Sequence, residues 1–262
     1  MAPDTVVLIT GATQGIGFEV AKALGTRDQQ RYTVLLGCRS TPKGFKAADT
    51  LKSAGAASVK VIHLDVTDDD SIDAAIAAIG KEYGHLDVLV NNAGIGIDDA
   101  VDAQGRHINP NARPHTSLRS LFHETFDVNV YGTAAVTEAC VPLLAKAVAT
   151  PPRIVFVSSH VGSLALRSDP NNDWYTRAHR PSYPVYRSSK AALNMLTLHY
   201  AAKFEEQGWK INASCPGLTA TDFTGGVGRP AREAAENIVR LVELDNDGPT
   251  GTYSDEKGVV PW

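Results

Sequence analysis

The chain has 262 residues, 43% of them hydrophobic and 21% charged, with a formal net charge of −4. That is enough apolar material for one α/β domain with a substantial core. No basic run exceeds two residues, which argues against nucleic acid or an anionic membrane as the main partner.

The first apolar run, Val6–Ile9, is too short for a signal segment or a membrane span and reads as a buried strand. Strands are predicted at Val6–Thr10, Thr33–Gly37, Val59–Leu64, Val88–Asn91, Ile154–Ser158 and Ile211–Cys215. Helical patterns fall between them at Gly17–Leu24, Phe45–Lys52, Ser71–Tyr83, Ser117–Ala147 and Tyr186–Gln207. This β-then-α order implies an α/β fold, a doubly wound parallel sheet with helices on both faces, in a single domain over 1–262. Two stretches read as loops: Ile95–His115, and Gly162–Pro184 with its Asp169-Pro170-Asn171-Asn172 run, which resembles an insertion. Cys38, Cys140 and Cys215 form no CxxC pair, so a reduced, cytoplasmic chain is expected. The eight histidines show no HExxH-like spacing, and no metal site is expected.

Ligands in such sheets bind at the carboxyl ends of the strands. Directly after the first strand stands Thr10-Gly11-Ala12-Thr13-Gln14-Gly15-Ile16-Gly17. Glycines at a strand-to-helix turn let the backbone approach a pyrophosphate, and the helix start supplies free N–H groups. At the end of the second strand, an acidic residue would hydrogen-bond the ribose 2′-hydroxyl of NAD. Here the residues are Gly37-Cys38-Arg39-Ser40, with Lys43 following. A cation at this place pairs with a 2′-phosphate, so NADP(H) is the expected cofactor.

Tyr186-Arg187-Ser188-Ser189-Lys190 has Tyr-x-x-x-Lys spacing, which puts both side chains on one helix face. Reducing a carbonyl by hydride leaves an alkoxide that needs a proton, and a phenol can supply it. A lysine ammonium nearby favours the phenolate and should lower a tyrosine pKa of about 10. Tyr253 and Lys257 share the spacing, but they follow Gly248-Pro249 and precede Gly258-Val259, outside any helical pattern. That second match reads as coincidence.

The Gly-x-x-x-Gly-x-Gly turn together with Tyr-x-x-x-Lys resembles the short-chain dehydrogenase/reductase family, and in particular its NADPH-dependent carbonyl reductases, with their Rossmann-type sheet. The resemblance runs from about Val6 to Phe223 and implies further roles. Asn91-Asn92-Ala93-Gly94 is similar to the family segment that stabilises the sheet and borders the cofactor, giving Asn91, Ala93 and Gly94. Asn129, in Phe126-Asp127-Val128-Asn129-Val130-Tyr131-Gly132, corresponds to the asparagine that maintains a water link to the lysine. Ser159, three residues before Gly162, corresponds to the serine that hydrogen-bonds the substrate oxygen, in preference to Ser158. The implied catalytic set is Asn129, Ser159, Tyr186 and Lys190. The implied cofactor contacts are Gly11, Thr13, Gln14, Gly15, Ile16, Gly17, Arg39, Asp65, Val66, Asn91, Ala93, Gly94, Tyr186, Lys190, Pro216, Gly217, Thr219 and Thr221. Asp65 and Val66 would meet the adenine. Pro216-Gly217 would abut the nicotinamide, and Thr221 would lie near its carboxamide and the phosphates. Thr219 stands where an aliphatic residue is more usual.

Ser159 and Tyr186 are 27 positions apart, longer than the family spacing, with the extra residues around 162–184. Monomeric carbonyl reductases of the family carry an insertion here over a helix face otherwise used for oligomerisation, so a monomer is favoured over a homo-oligomer. Trp174, Tyr175 and Tyr183 stand near the presumed site mouth, where they either line a pocket for an aromatic carbonyl or only pack the loop. A substrate-side segment is expected over 218–247. The implied partner is a small carbonyl or alcohol substrate, with no nucleic acid and no membrane. Two alternatives stand beside the reductase: a non-redox NADP(H)-binding sensor, and a sugar-nucleotide epimerase or dehydratase, which shares Tyr-x-x-x-Lys but has a longer C-terminal substrate region than the 45 residues after Gly217.

Overall fold

β-branched residues dominate the apolar runs, and they form strands because such side chains pack well on a pleated surface buried on both sides. The computed structural model describes residues 5–27, 32–99, 109–149, 151–172 and 183–262. The first half alternates strictly: β1 (Thr5–Thr10), α1 (Gly15–Arg27), β2 (Tyr32–Cys38), α2 (Thr41–Ser53), β3 (Val59–His63), α3 (Asp69–Tyr83) and β4 (Val88–Asn91). Then come α4 (Leu118–Phe126), α5 (Thr133–Leu144), β5 (Arg153–Val157), a short α6 (Leu164–Ser168), α7 (Pro184–Lys203) and β6 (Lys210–Ser214). The C-terminal part holds β7 (Thr219–Ala220), β8 (Arg229–Pro230), α8 (Ala231–Val242), β9 (Tyr253–Asp255) and β10 (Gly258–Val259).

The main sheet runs β10-β9-β6-β5-β4-β1-β2-β3. β3 through β9 pair in parallel, and β10 turns back antiparallel along β9. The chain leaves β1 in one direction for β2 and β3, then returns to β4 on the other side. That reversal opens a crevice at the carboxyl ends of β1 and β4, where a dinucleotide fits. Alternation along β1 divides the core. Val7 and Ile9 face α1, α2 and α8, while Val6 and Leu8 face α3, α5 and α7, all four buried. Each such side chain contributes about 1.5–3 kcal/mol by leaving water. No described helix is long and apolar enough to cross a membrane.

The structure departs from the sequence reading at several places, among them the short strands β7 to β10, which that reading did not include. The long helix expected over Ser117–Ala147 is broken by a π turn at Asp127–Gly132, between α4 and α5. Gly132 packs against the Val66 carbonyl so closely that no Cβ would fit, and the turn aims Asn129 into the core. The helix expected to reach Gln207 ends at Lys203, because Phe204 turns in to stack on Trp209 with ring centroids 4.1 Å apart. Part of the presumed inserted loop is the helix α6, capped by Ser163, whose hydroxyl also donates to the Pro261 carbonyl. The segment 218–247, read without elements, contains α8, which lies against α1 and buries Ala235, Ile238, Val239, Leu241 and Val242. Trp174 and Tyr175 lie outside the described residues, as do residues 100–108 of the first long loop.

Candidate active site

The crevice begins at the glycine turn. Gly11 and Gly15 hold φ of +64° and +59°, a region that disfavours any side chain. A Cβ at Gly11 would stand 3.0 Å from the Ala93 Cα, and one at Gly17 would stand 2.5 Å from Nδ2 of Asn92. That amide donates to the carbonyls of Thr10 and Gly11, at 2.9 and 3.2 Å. The Thr10 hydroxyl in turn accepts the backbone N–H groups of Asn92 and Ala93. Thr10 and Asn92, which the sequence reading did not single out, therefore brace the turn. Their signal was their position at the ends of two adjacent strands. A Cβ at Gly15 would meet Thr221 Cγ2 at 3.2 Å, so Thr221 lies against the turn. The first amides of α1, at Gly15, Ile16 and Gly17, have no partner within their own helix. This bare, braced cradle fits a pyrophosphate.

Arg39 projects, exposed, from the end of β2, and its charge reaches Asp65 after β3. Burial pushes the Asp65 carboxyl up, but two bonds from Thr67 and the charges of Arg39 and His63 outweigh it and hold its pKa below the ordinary value. Thr13 and Gln14 line a groove of about 370 Å³ with Phe18, Lys43 and Lys46. Asp65 and Val66 line a second groove, about 700 Å³, with Asp127 and Tyr131. Asn91 turns its amide away to the Thr137 hydroxyl at 2.9 Å, linking the sheet to α5.

The four residues of the expected catalytic set converge at the ends of β4 and β5 and the start of α7. Ser158 is buried and donates to Asn194 Oδ1 at 2.5 Å. Its neighbour Ser159 hydrogen-bonds the Tyr186 hydroxyl. The buried Lys190 donates to the Val157 carbonyl at 2.9 Å, with its amine 5.7 Å from the centre of the Tyr186 ring. Asn129 accepts from the backbone N–H of Ile95 and donates to its carbonyl, both at 2.8 Å. It also donates to Ser189 Oγ at 3.0 Å, and Ser189 donates to the Tyr186 carbonyl at 2.8 Å. The space above Gly94 lies between Asn129 Oδ1 and Lys190 Nζ, at 3.3 and 3.6 Å from where a Cβ would stand.

The electrostatics differ from the sequence expectation in one respect. Lys190 was expected to bring the Tyr186 phenol down. Burial instead pushes it well above the usual tyrosine range, with Cys215 adding to the rise, the Ser159 bond opposing it, and Asp98 and Tyr183 raising it further. Burial also lowers Lys190, from 10.5 to about 8. The physical reason is the desolvated setting: each charged form loses water, and the amine is committed to Val157 rather than to the phenol.

Beyond β6, Pro216-Gly217 forms a turn held by Arg229, which donates through Nε and Nη2 to the Pro216 carbonyl at 3.0 and 2.7 Å. Thr219 is buried and donates to the carbonyls of Pro216 and Gly217, both 3.2 Å away. Its hydroxyl thus closes this turn. Phe223, on the following segment, sets its ring 5.4 Å from that of Tyr186. Gly96 makes room for both: a Cβ there would stand 2.8 Å from Phe223 Cζ and 3.2 Å from Tyr186 Cδ2. Tyr253 is buried in β9, not on a helix, and its side chain bonds to Cys215.

Comparison with known proteins identifies the family. Residues 11–250 match the family model described as enoyl-(acyl carrier protein) reductase. A short-chain dehydrogenase/reductase of Stachybotrys chlorohalonatus is 35% identical over 265 residues, covering 97% of this chain and 89% of that one. The structure of salutaridine reductase from Papaver somniferum superposes with a TM-score of 0.77 at 30% identity, covering 95% of this chain and 99% of that one. An NADPH-bound carbonyl reductase from chicken fatty liver gives a TM-score of 0.77 at 26% identity over 99% of both chains. The chain belongs to the short-chain dehydrogenase/reductase family of oxidoreductases.

Proposed function

We propose that this protein is an NADP(H)-dependent carbonyl reductase, working reversibly on a ketone or aldehyde and the corresponding alcohol. The observation that carries the reading is the pairing of the Tyr186 hydroxyl with Ser159 above a buried lysine, at the mouth of the glycine cradle. When bound, the nicotinamide supplies or accepts the hydride. Ser159 donates a hydrogen bond to the substrate oxygen and orients it. Tyr186 delivers the proton to that oxygen in reduction and takes it back in oxidation. A phenol with a raised pKa is fully protonated near neutrality, which suits the reductive direction. Lys190 holds the nicotinamide ribose, and its positive charge favours the phenolate left after proton delivery. Asn129 orders the loop at Ile95 and relays protons through water to Lys190.

Arg39 supports NADP(H) over NAD(H), with Lys43 and Lys46 adding positive charge beside Thr13 and Gln14. Relatives differ on this point: an oxoacyl reductase structure from Brucella melitensis holds NAD. The substrate class proposed is an apolar carbonyl compound. Leu218, Phe223 and Val227 are exposed on the segment beside Tyr186, and solvent-facing apolar side chains at a site mouth favour such ligands. The likeness to proteins named salutaridine reductase and carbonyl reductase supports carbonyl reduction. The test is direct: purified protein should consume NADPH with a panel of cyclic and aromatic ketones, and Tyr186→Phe should not. NADPH binding without turnover on any ketone would favour a sensor instead.

A further inference from the structure

Helix α7 begins in an unusual way. Its N-cap position is Tyr183, a non-glycine residue at φ +58° whose side chain makes no capping bond. Pro184 fills the first turn without an N–H to satisfy. The next two amides, Val185 and Tyr186, need an acceptor that a capping side chain would ordinarily provide. They find it 87 and 88 positions away: Asp98 Oδ2 accepts from Val185 at 2.8 Å and from Tyr186 at 3.1 Å. Asp98 is only 2% exposed, so its carboxylate is held inside the protein.

Asp98 is itself held firmly. Asn109 donates to the carbonyls of Asp98 and Gly96, at 2.6 and 3.2 Å, and the N–H of Arg113 donates to the Ile97 carbonyl at 3.0 Å. Four residues earlier, Gly94 borders Asn129 and Lys190, and Ile95 is clamped by the Asn129 amide. The segment 94–98 therefore borders Asn129, Lys190, Phe223 and Tyr186 in turn. It ends at the backbone of Tyr186.

The geometry points to Asp98 as the positioning residue for Tyr186, a helix cap supplied from the β4 side that fixes the first turn of α7 against the cofactor cradle. This inference rests on the reading of Tyr186 as the proton donor. A carboxylate at a helix N-terminus meets both the free amides and the positive end of the helix dipole, which repays part of its burial. An ordinary cap would secure only the helix. Asp98 couples the phenol to the loop that lines the nicotinamide side of the site.

The charge has its own effect on proton delivery. Among the described residues, Asp98 faces the two α7 amides, the Arg187 guanidinium and the Tyr183 phenol, with Asp99 beside it in the chain. Tyr186 faces Ser159, Cys215, Tyr183, Asp98 and the Lys190 amine. A negative Asp98 disfavours the phenolate, so it keeps Tyr186 protonated to higher pH.

Asp98→Ala and Asp98→Asn should be compared with wild type in NADPH-dependent ketone reduction. The alanine variant should lose at least tenfold in kcat, with the NADPH dissociation constant within about twofold, because the cradle is intact while the phenol is misplaced. Asparagine keeps an acceptor without the charge, so it should recover much of kcat. It should also move the alkaline limb of the kcat profile about half a pH unit lower, which a purely structural role would not do. Wild-type kcat and an unmoved limb in both variants would overturn the inference, as would a parallel loss of NADPH binding and kcat. If the alanine variant does not fold, the limb of Asp98→Asn decides alone. Tyr186→Phe separates the two levels. Activity in that variant sinks the proton-donor reading itself, whereas an inactive Tyr186→Phe beside unaffected Asp98 variants sinks only the positioning role.

Discussion

Ser158 donates its hydroxyl to Asn194 inside the core, and this leaves Ser159 as the serine that faces Tyr186. Adjacent residues in an extended chain point to opposite sides, so one serine serves packing and the other chemistry. Ser158→Ala should cost about 1–2 kcal/mol of stability with little change in kcat, since it strips a buried partner from Asn194. Ser159→Ala should leave the melting temperature near wild type and lower kcat by about 100-fold. Thermal melts and steady-state kinetics on the two variants check this, and the reverse pattern would exchange the two roles.

Lys190 is held at about 8, below its ordinary 10.5. Between those values the unfolded chain binds more protons than the folded one, so this residue's contribution to stability rises with pH across that window. Below about pH 8 the penalty of its buried charge is present in full, and it is relieved as pH climbs toward 10.5. Lys190→Met should therefore melt higher than wild type near pH 7, with the gap closing toward about pH 10. The Val157 carbonyl, left without the amine, takes back part of the gain. Turnover should fall at least ~100-fold. Melting curves across pH decide the matter: a gap that widens with pH contradicts the assignment.

On the proposed NADP(H) reading, Arg39, exposed at the end of β2, would meet the 2′-phosphate. Arg39→Asp should weaken NADPH binding by at least about tenfold while sparing NADH, because a carboxylate repels the phosphate but accepts from a ribose hydroxyl. Titrating both cofactors into the variant tests this. Equal weakening of the two would show that Arg39 does not choose between them.

Gly17 has no room for a methyl group beside Asn92. Gly17→Ala should push the Asn92 amide off the Thr10 and Gly11 carbonyls and reshape the cradle. The expected result is a loss of about 1–3 kcal/mol in stability together with weaker binding of both cofactors. An unchanged dissociation constant for NADPH would mean that Asn92 does not brace the turn.

Gly96 keeps Phe223 and Tyr186 in contact. The atom a new methyl group would meet most closely is the far end of the Phe223 ring, so Gly96→Ala should fold normally and turn that ring outward. KM for bulky ketones should rise several-fold, about 1 kcal/mol of lost binding, with a smaller change for short aliphatic ones. A KM that rises equally for every ketone would place Phe223 outside substrate selection.

Strands β1 to β6 were legible within about a residue at either end, because runs of β-branched residues bounded by turn formers have few alternatives, whereas the short β9 and β10 were not. The glycine turn was legible for a similar reason: its function requires backbone that only glycine tolerates there. Local chemistry also separated Tyr186 from Tyr253, since one opens a helical pattern and the other does not. Helix α8 was missed although its apolar positions repeat with helical spacing, because 218–247 was read only as a substrate-side segment with no element assigned.

What remained hidden depends on groups brought together from far along the chain. The π turn at Asn129 exists because Gly132 meets the Val66 carbonyl, a contact that no spacing between those residues announces. The rise of the Tyr186 pKa follows from burial, which is a property of the assembled site. Asp98 looked like one acid in a polar loop until the fold set it under the first turn of α7. The amino-acid order by itself determined the six central strands, the glycine turn and the choice of Tyr186 and Lys190 as the proposed reactive pair, since each rests on short-range rules. Only the tertiary structure decided how those side chains are held and charged, because hydrogen-bond partners and desolvation are set by neighbours distant in sequence.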